Sequence, residues 1–301
     1  MMISPILNSL TLQTSSNQPT LCVITGSTAV GKTDFAIEVA LHFDTVIISA
    51  DSRQFYREMC IGTAFPTEEQ QSKVKHYFIG HKSIQDYYSV SKYEQDVLEL
   101  LPSLFEQHPV VVMTGGSGLY IDAVCYGIDL LPDPDPEVRE ELTLIFEKEG
   151  VEGLRQRIKK LDPHYYQTSD IANHKRLLRA LEVTIQTGIP YSQMITGKAK
   201  ERNFNIQKFY LNRPRAELFE RINLRVDQMM QAGLLDEVKQ LYPYKNLNAL
   251  NTVGYKELFS YLDGKHSLEQ AVEKIKVHTR RYAKRQLTWF KRDSSYQEIQ
   301  I

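Results

Sequence analysis

The residues best suited to chemistry form a glycine-rich loop near the start of the chain. Gly26, Gly31, Lys32 and Thr33 fit the phosphate-loop pattern G-x-x-x-x-G-K-[ST], after an apolar strand and before an amphipathic helix. In such a loop the backbone N–H groups and the helix N-terminus hold anionic oxygens, the lysine adds positive charge and the threonine hydroxyl suits Mg²⁺. A diphosphate or nucleotide is predicted to bind at Gly26, Ser27, Thr28, Ala29, Val30, Gly31, Lys32 and Thr33.

A carboxylate follows the next apolar strand. Residues 45–49 are predicted to form a buried strand, and Asp51 comes just after it. Because the carboxyl ends of strands in an open α/β sheet carry the ligands, we expect Asp51 to face the same crevice as the phosphate loop. Three roles are open to Asp51: capping the next turn, holding Mg²⁺ through water, or accepting a proton from a nucleophile.

Strand and helix signals alternate through the first half of the chain, which predicts an α/β fold with a doubly wound parallel sheet. Strands are expected at residues 21–25, 45–49 and 109–113, with helices between them. The third strand ends in a Gly-Gly-Ser-Gly sequence at 115–118. These glycines permit either close approach of the backbone to a ligand or a tight turn.

The second half of the chain is predicted to be mainly helical. Three prolines within residues 131–136 stiffen a connection and interrupt helices. After them we expect one strand, at 208–211. The expected helices are at 136–148, 151–160, 173–187, 214–241, 253–262 and 267–291. The chain is therefore divided into a flexible N-terminal arm (1–20), a first part of the phosphate-loop core (21–130), a helical insertion (131–203) and a second part of the core with a basic C-terminal helix (204–301).

Composition limits the class of protein. The 301 residues carry a net charge of −1, with 42% hydrophobic and 24% charged residues, as in ordinary soluble proteins. A global basic field is excluded, so a nucleic-acid site must be a local patch. Three separated cysteines indicate reduced thiols without a disulfide or zinc framework. With no apolar run of membrane-spanning length and no signal-peptide pattern, we expect a cytoplasmic protein without membrane contact. We also expect it to be a monomer.

The last predicted helix separates basic from apolar side chains. At about 100° per residue, eight cationic side chains between Lys274 and Arg292 fall on one half of the circumference, and apolar ones such as Leu287 and Phe290 fall on the other. No Asp or Glu lies within this segment. We therefore predict a basic face without counter-charges that contacts a polyanion, with a merely solvated helix face as the alternative.

Several motifs together resemble the tRNA dimethylallyltransferases, the tRNA isopentenyltransferase family. In order, they are Gly26–Thr33, Asp51-Ser52-Arg53-Gln54, Gly115–Tyr120, Arg176–Glu182, Gly254–Glu257 and Tyr282–Phe290. The resemblance extends from Leu21 to Arg292, and its most specific parts are the Asp-Ser-x-Gln and Lys-Arg-Gln-x-Thr-Trp segments. Because the zinc-finger extension of eukaryotic members is absent, the chain is similar to the bacterial form.

The resemblance implies a reaction and a set of site residues. Its substrates are dimethylallyl diphosphate and the exocyclic amine of the adenosine 3′ of the anticodon in tRNA, and its cofactor is Mg²⁺. By resemblance, Asp51 accepts the proton of the amine or orients it, and Thr28 and Arg221 are catalytic residues that contribute to diphosphate binding. The phosphate-loop pattern predicts Thr33 as the Mg²⁺ ligand, and a water-mediated contact of Asp51 with the metal is the alternative role. The tRNA contacts that the resemblance implies are Asp51, Ser52, Arg53, Gln54, Ser117, Arg139, Lys175, Arg176, Arg179, Lys284, Arg285, Gln286 and Trp289.

Two other classes of function share some of these features. An ATP-dependent small-molecule kinase accounts for the phosphate loop and Asp51 but not for the basic C-terminal helix. A non-catalytic RNA-binding protein accounts for the basic helix and gives Asp51 no role. Labelled dimethylallyl diphosphate and labelled ATP, each supplied with bulk tRNA, distinguish the three classes.

Overall fold

A six-stranded parallel sheet forms the core of the computed structural model, which describes residues 18–301. The strands are β1 (Thr20–Gly26), β2 (Ile47–Ser49), β3 (His76–Tyr77), β4 (Val110–Gly115), β5 (Asn205–Asn212) and β6 (Tyr296–Gln300). Their order is β3-β2-β4-β1-β5-β6, and every pairing is parallel. All residues of β1 and β2 are buried, as expected where helices cover both faces of a parallel sheet. The predicted α/β fold is confirmed.

Twelve α-helices are present in the described part of the chain. They are α1 (Lys32–His42), α2 (Glu68–Lys73), α3 (Val90–Phe105), α4 (Gly118–Tyr126), α5 (Pro136–Leu161), α6 (Pro163–Thr168), α7 (His174–Thr187), α8 (Tyr191–Met194), α9 (Arg215–Gln231), α10 (Leu234–Leu241), α11 (Tyr255–Leu262) and α12 (Leu268–Lys291). Short 3₁₀ turns at Tyr242–Tyr244 and Asn248–Leu250 connect α10 to α11. None of the helices within residues 18–301 is both long and apolar enough to cross a membrane.

Glycines with positive φ angles explain two helix breaks. Gly150, with φ of 66°, interrupts α5 between the two predicted helices. Gly233, with φ of 98°, separates α9 from α10, so the single helix predicted over 214–241 is wrong. Strand β3 was not predicted because it has only two residues. Strand β6 was missed because it is polar, with Tyr296 as its one buried residue.

Most of the predicted N-terminal arm, residues 1–17, lies outside the described residues. Thr20, which the sequence analysis included in the arm, is instead the first residue of β1. It is buried, and its N–H donates to the Pro109 carbonyl at 2.9 Å. The sheet therefore begins one residue earlier than expected.

The chain separates into two compact units. One consists of the residues up to Cys125 together with Glu201–Ile301, and the other is Tyr126–Lys200. The second unit contains α5 to α8 around its own apolar core, which includes Leu142, Leu154 and Leu181. It corresponds to the segment for which a helical insertion at 131–203 was expected, although its bounds lie a few residues earlier.

Candidate active site

The parallel sheet brings several predicted polar residues, and Arg213, which was not predicted, to one edge. The phosphate loop follows β1, Asp51 follows β2, Ser117 follows β4 and Arg213 follows β5. Since the carboxyl ends of parallel strands lie at the same edge of a sheet, residues distant in sequence surround one crevice. The site is built on the scaffold of the first compact unit.

The phosphate loop has the backbone conformation that its glycines allow. Gly26 and Gly31 have φ angles of 147° and 110°, and Ala29 lies at 63°. A side chain at Gly26 would place its Cβ 2.8 Å from the Leu211 carbonyl oxygen, so glycine also suits the close approach of β5. The Lys32 ammonium donates to the Ser27 carbonyl at 2.9 Å across the loop.

Three arginines contact the phosphate loop. Arg213 Nε donates to the Val30 carbonyl at 2.8 Å, and Arg221 Nε donates to the Ala29 carbonyl at 2.9 Å. Arg225 Nη1 lies 3.4 Å from Thr28 Oγ1, the longest of the three contacts. Sequence reasoning named only Arg221. Its i,i+4 spacing from Arg225 on one helix was a signal that both side chains lie on the same face.

Positive charge accumulates beside the loop and alters proton affinities. Burial, followed by the neighbouring Arg225 guanidinium, lowers the pKa of Lys32 to about 8, while Asp51 acts in the opposite direction. Burial and the charge of Arg221 likewise lower the pKa of Arg225. The pocket is therefore one in which an added anion is strongly favoured.

Asp51 caps the turn after β2 with one of its two carboxylate oxygens. Its Oδ1 accepts a hydrogen bond from the Arg53 N–H at 3.0 Å. Its Oδ2 accepts no hydrogen bond from any residue in the range 18–301. The adjacent Ser52 N–H donates to Ser117 Oγ at 2.9 Å, which links the loops after β2 and β4. Asp51 is thus held in place with one carboxylate oxygen available.

Gln54, which is predicted to touch tRNA, holds a neighbouring loop in this structure. Its amide donates to the carbonyls of Thr63 and Ala64 at 3.1 and 2.9 Å. Its Oε1 lies 3.3 Å from the hydroxyl of Ser49, which donates to it. The loop at 61–64 therefore depends on a side chain from the end of β2.

Glu237 of α10 supports the same loop and was not found by sequence reasoning. Its carboxylate accepts hydrogen bonds from the N–H groups of Ile61 and Gly62 at 2.7 and 3.0 Å. It also accepts one from the hydroxyl of the buried Tyr255 at 2.7 Å. A side chain at Gly62 would collide with the Tyr255 ring, with Cβ only 2.5 Å from the hydroxyl oxygen. No local signal marked Glu237, because its partners come from a distant segment.

Gln286 joins α12 to the phosphate loop. Its side-chain oxygen accepts a hydrogen bond from the Thr28 N–H at 2.8 Å, and its amide donates to the Gly116 carbonyl at 2.9 Å. The side chain is buried. Added Cβ atoms at Gly116 and Gly118 would collide with Gln286 and Trp289. In this structure, therefore, the absence of a side chain at these two glycines allows α12 to pack closely against the loop after β4.

Trp289 is also fixed by protein contacts. Its indole Nε1 donates to Asp122 Oδ2 at 3.1 Å, and the Arg292 guanidinium stacks over its ring at 3.7 Å. Lys284 and Arg285, by contrast, are exposed. The predicted tRNA-binding segment of α12 thus contains two anchoring side chains and two solvent-facing cations.

The expectation that the whole basic face of α12 lacks counter-charges is wrong. Lys276 pairs with Asp227 at 2.6 Å, Arg292 with Asp122 at 2.5 Å and Arg280 with Glu273 at 3.4 Å. These carboxylates were missed because they belong to other elements or precede the segment that lacks Asp and Glu. Within the described chain, the cations of α12 without an ion pair include Arg281, Lys284 and Arg285.

The remaining predicted tRNA contacts lie in the second compact unit. Arg139 and Arg179 both pair with the fully buried Glu182, with Nη2–Oε2 at 2.6 Å for Arg139 and Nη1–Oε2 at 3.5 Å for Arg179. Lys175 and Arg176 are exposed and form no ion pair with the described residues. This predicted group therefore divides into a structural pair and two solvent-facing cations.

Two adjoining cavities meet at the candidate catalytic residues. The more polar one, of about 80 Å³, is lined by Lys32 and Thr33 among others. The more apolar one, of about 110 Å³, has walls that include Val226, Met229, Leu234 and Ile275. Side chains that line both are Thr28, Asp51, Arg225 and Tyr282, together with Thr63 and Ala64. An anion on one side and an apolar group on the other would thus both lie beside Asp51.

Comparison with known proteins places the chain in one family. The profile of the IPP transferases matches residues 54–293. A tRNA dimethylallyltransferase of Bacteroides thetaiotaomicron is 52% identical over 275 residues, covering 91% of this chain and 89% of the relative. One of Christiangramia forsetii is 52% identical over 270 residues, covering 90% and 89%.

Solved structures agree with this assignment. A tRNA isopentenylpyrophosphate transferase of Bacillus halodurans aligns with a TM-score of 0.69 and 35% identity, over 94% of this chain and 90% of its own. A eukaryotic dimethylallyltransferase acting on tRNA has a TM-score of 0.74 at 24% identity, covering 94% and 74%, and supports the fold alone. The kinase alternative is not favoured by these relationships. The chain belongs to the IPP transferase family, as do the tRNA dimethylallyltransferases that it resembles.

Proposed function

We propose that the protein transfers a dimethylallyl group from dimethylallyl diphosphate to the exocyclic amine of the adenosine 3′ of the anticodon in tRNA. The observation that carries this proposal is the position of Asp51, which lines both the polar cavity at the phosphate loop and the apolar cavity beside it. A donor with an anionic head and a short apolar tail matches that pair of cavities. Membership of the IPP transferase family supports the same donor.

The chain's own residues account for the steps of the transfer. A bond forms between the adenine amine nitrogen and C1 of the dimethylallyl group, while the bond from C1 to the diphosphate oxygen breaks. Lys32 and the backbone N–H groups of the phosphate loop stabilise the charge that grows on the departing diphosphate. Asp51 Oδ2, which is available, accepts the proton of the amine, a contribution that is typically 10²–10⁴-fold in rate.

The polar cavity also fits Mg²⁺. The Thr33 hydroxyl and the Asp51 carboxylate, both hard oxygen donors, line it. Among residues 18–301 no cluster of three or more His, Cys, Asp or Glu residues forms a dedicated metal cage. Mg²⁺ commonly uses one or two protein oxygens and completes its shell with water and substrate phosphates, so this small donor set is adequate. When bound, the ion would neutralise negative charge on the diphosphate.

For the acceptor, we propose that exposed cations hold the tRNA while the target base leaves the anticodon stack. Loop bases unstack at low cost, and enzymes that modify a base commonly extrude it into a pocket. The exposed candidates are Lys284 and Arg285 in one unit and Lys175 and Arg176 in the other. We further propose a monomer that acts in the cytoplasm, which agrees with three unpaired cysteines.

The proposal is tested by supplying dimethylallyl diphosphate, labelled in the dimethylallyl group, with bulk tRNA, in parallel with labelled ATP and small acceptors. We expect label in tRNA from the first reaction, dependence on Mg²⁺, and conversion of the adenosine to its N6-dimethylallyl form on nucleoside analysis. Asp51→Asn serves as the inactive control. Transfer of phosphate from ATP without prenylated tRNA would overturn the proposal.

A further inference from the structure

A large groove lies between helices α9 and α12, apart from the two cavities that meet at Asp51. Its volume is about 740 Å³, several times that of either of those cavities. All the residues that line it belong to the first compact unit, and none of them lines the cavities beside Asp51. Sites for small molecules usually have volumes of about 300–1,000 Å³. The groove is therefore large enough to hold a ligand of its own.

The floor of this groove is apolar. Helix α9 contributes Leu218 and Phe219, and α12 contributes Val277, Ala283 and Leu287. Leu218 and Ala283 are buried, whereas Phe219, Val277 and Leu287 keep part of their surface exposed. Leu287, which was expected on the apolar half of α12, thus shares the groove with basic side chains. The exposed apolar surface favours a ligand with a hydrocarbon part.

The rim of the groove is basic. Six arginines and lysines line it, and among the described residues no Asp or Glu does. Four of the six are exposed and form no ion pair within residues 18–301, namely Arg215, Arg281, Lys284 and Lys291. Like charges that surround one groove repel one another, so an anion bound between them is favoured.

Two guanidinium groups are held beside the apolar floor. Those of Arg215 and Arg280 lie 5.0 and 6.0 Å from the centre of the Phe219 ring. Arg280 is fixed further, because its Nη1 donates to Asn223 Oδ1 at 2.6 Å. Hydrogen-bond donors therefore border the floor directly. A ligand whose chain lies on the floor would place its head group among them.

Charge and shape together select the class of ligand. RNA phosphates match the cations but leave the recessed apolar floor without a partner. A stable protein interface usually involves about 20–30 residues on each side, whereas fourteen residues line this groove. A free amphiphile with one hydrocarbon chain and a carboxylate or phosphate head group satisfies both parts. Arginine binds either head group through two parallel hydrogen bonds.

We propose that the groove between α9 and α12 binds a free, single-chain anionic amphiphile. Its hydrocarbon chain lies on Phe219 and Leu287, and its head group is held by Arg215, Arg281 and Lys284. Arg281 and Lys284 are also among the cations of α12 that are expected to contact tRNA. A bound head group therefore competes with tRNA for these two side chains. The competition rests on the proposed function, whereas the binding site does not.

Isothermal titration calorimetry with the wild-type protein tests the class of ligand. Octanoate and octyl phosphate, kept below their micelle concentrations, should bind at one site. Octanol and octylammonium should bind about tenfold more weakly or less, because they lack the anion. Each step from hexanoate to octanoate to decanoate should tighten binding about tenfold, since it adds two buried CH₂ groups. Binding of either anion supports the site, and the tighter of the two identifies the preferred head group.

Four variants test the location of the site. Arg215→Glu reverses an exposed rim charge and Val277→Glu adds a carboxylate to the floor, so each should weaken octanoate binding about tenfold or more. Lys160→Glu and Leu224→Glu make the same changes at exposed positions outside the groove and should bind octanoate like wild type. Because Arg215 is exposed, Arg215→Glu should keep the wild-type Tm, which separates weaker binding from unfolding.

The Kd for tRNA tests the competition. Saturating octanoate should raise this Kd several-fold relative to the same concentration of acetate, which carries the charge without the chain and controls for ionic strength. An equal Kd for tRNA in the two salts would contradict the competition, while the calorimetric result would still decide the site.

Three results would overturn the site itself. They are no saturable binding of octanoate or octyl phosphate, equal binding of octanol, and undiminished octanoate binding in both Arg215→Glu and Val277→Glu. Attachment to vesicles of anionic lipid without binding of free octanoate would also overturn it, because this surface would then face a membrane and not a free ligand.

Discussion

At the scale of single residues, Asp51 and Lys32 divide the chemistry between them. Asp51 lies where the two cavities meet, with Oδ1 engaged by the Arg53 N–H and Oδ2 available. Lys32 lies on the phosphate side and shares its cavity with Thr33. In the proposed reaction one residue receives the proton that the amine loses, and the other offsets the charge that the diphosphate gains.

Asp51→Asn should slow the chemical step by about 10²–10⁴-fold, because the amide keeps the turn contact but cannot take a proton. Single-turnover prenyl transfer with saturating substrates measures this step. The KM for the donor and the Kd for tRNA should change little. Recovery of full activity on raising Mg²⁺ would instead show that Asp51 acts by ordering the metal.

Donor binding should weaken as pH rises through about 8, the value to which burial and Arg225 lower the pKa of Lys32. Below this pH, Lys32 is protonated before the donor arrives. Above it, Lys32 must take up a proton to bind the anion, so donor kcat/KM should fall by up to about tenfold per pH unit. Lys32→Arg is the control, because arginine stays charged and should flatten the profile between pH 7.5 and 9.5. A wild-type profile that is flat over this interval would contradict the assignment.

At the scale of elements, side chains from helices α10 and α12 fix the loops around the crevice. Glu237 of α10 accepts hydrogen bonds from the backbone of Ile61 and Gly62. Gln286 of α12 hydrogen-bonds both the phosphate loop and the loop after β4, and so links them. The crevice is therefore shaped in part by side chains whose own hydrogen bonds go to the backbone of its loops. Its loops are expected to hold their positions only while these helices remain docked.

Glu237→Gln should loosen the loop at 61–64, because an amide cannot accept both backbone N–H bonds and the Tyr255 hydroxyl bond. We expect a stability loss of about 1–3 kcal/mol in chemical denaturation and a similar relative loss in kcat/KM. Hydrogen exchange at the Ile61 and Gly62 amides should accelerate. Tyr255→Phe is the matched control, since it removes only the hydroxyl contact. Equal exchange rates in Glu237→Gln and wild type would contradict this role.

At the scale of the whole molecule, positive charge is local on a chain whose net charge is −1. Lys276 of α12 and Arg292, which follows the helix, are neutralised by carboxylates from other elements, whereas Arg281, Lys284 and Arg285 form no ion pair within residues 18–301. A polyanion that binds there is expected to depend strongly on salt concentration, because phosphate contacts release condensed counterions.

Replacing Arg281, Lys284 and Arg285 together by Gln should flatten the plot of log tRNA affinity against log salt. The slope should fall by about 0.7–0.9 for each tRNA phosphate that the variant no longer binds. The control replaces Lys73, Lys239 and Lys265, which changes the net charge equally but removes cations already paired with Glu69, Asp236 and Asp263. Stability and donor affinity should remain near wild type in both variants. An unaltered salt slope in the first variant would mean that this face does not contact the tRNA backbone.

Sequence alone determined those features that arise from neighbours along the chain. The apolar runs of β1, β2 and β4, the phosphate-loop pattern and the helical periodicity are local signals, so the parallel α/β fold and the family were predicted correctly. The break at Gly150 was also accessible, because a glycine between two periodic segments is a local signal. Short or polar elements such as β3 and β6 have too little pattern to be recognised.

Only the tertiary structure decided which polar side chains already have a hydrogen-bond or ion-pair partner within the protein. Gln286 contacts a backbone N–H that lies 258 residues away, and Glu237 contacts one 176 residues away. The carboxylates that neutralise Lys276 and Arg292 likewise result from packing between distant segments. Sequence spacing cannot reveal such partners, because burial and pairing depend on which surfaces meet when the chain folds.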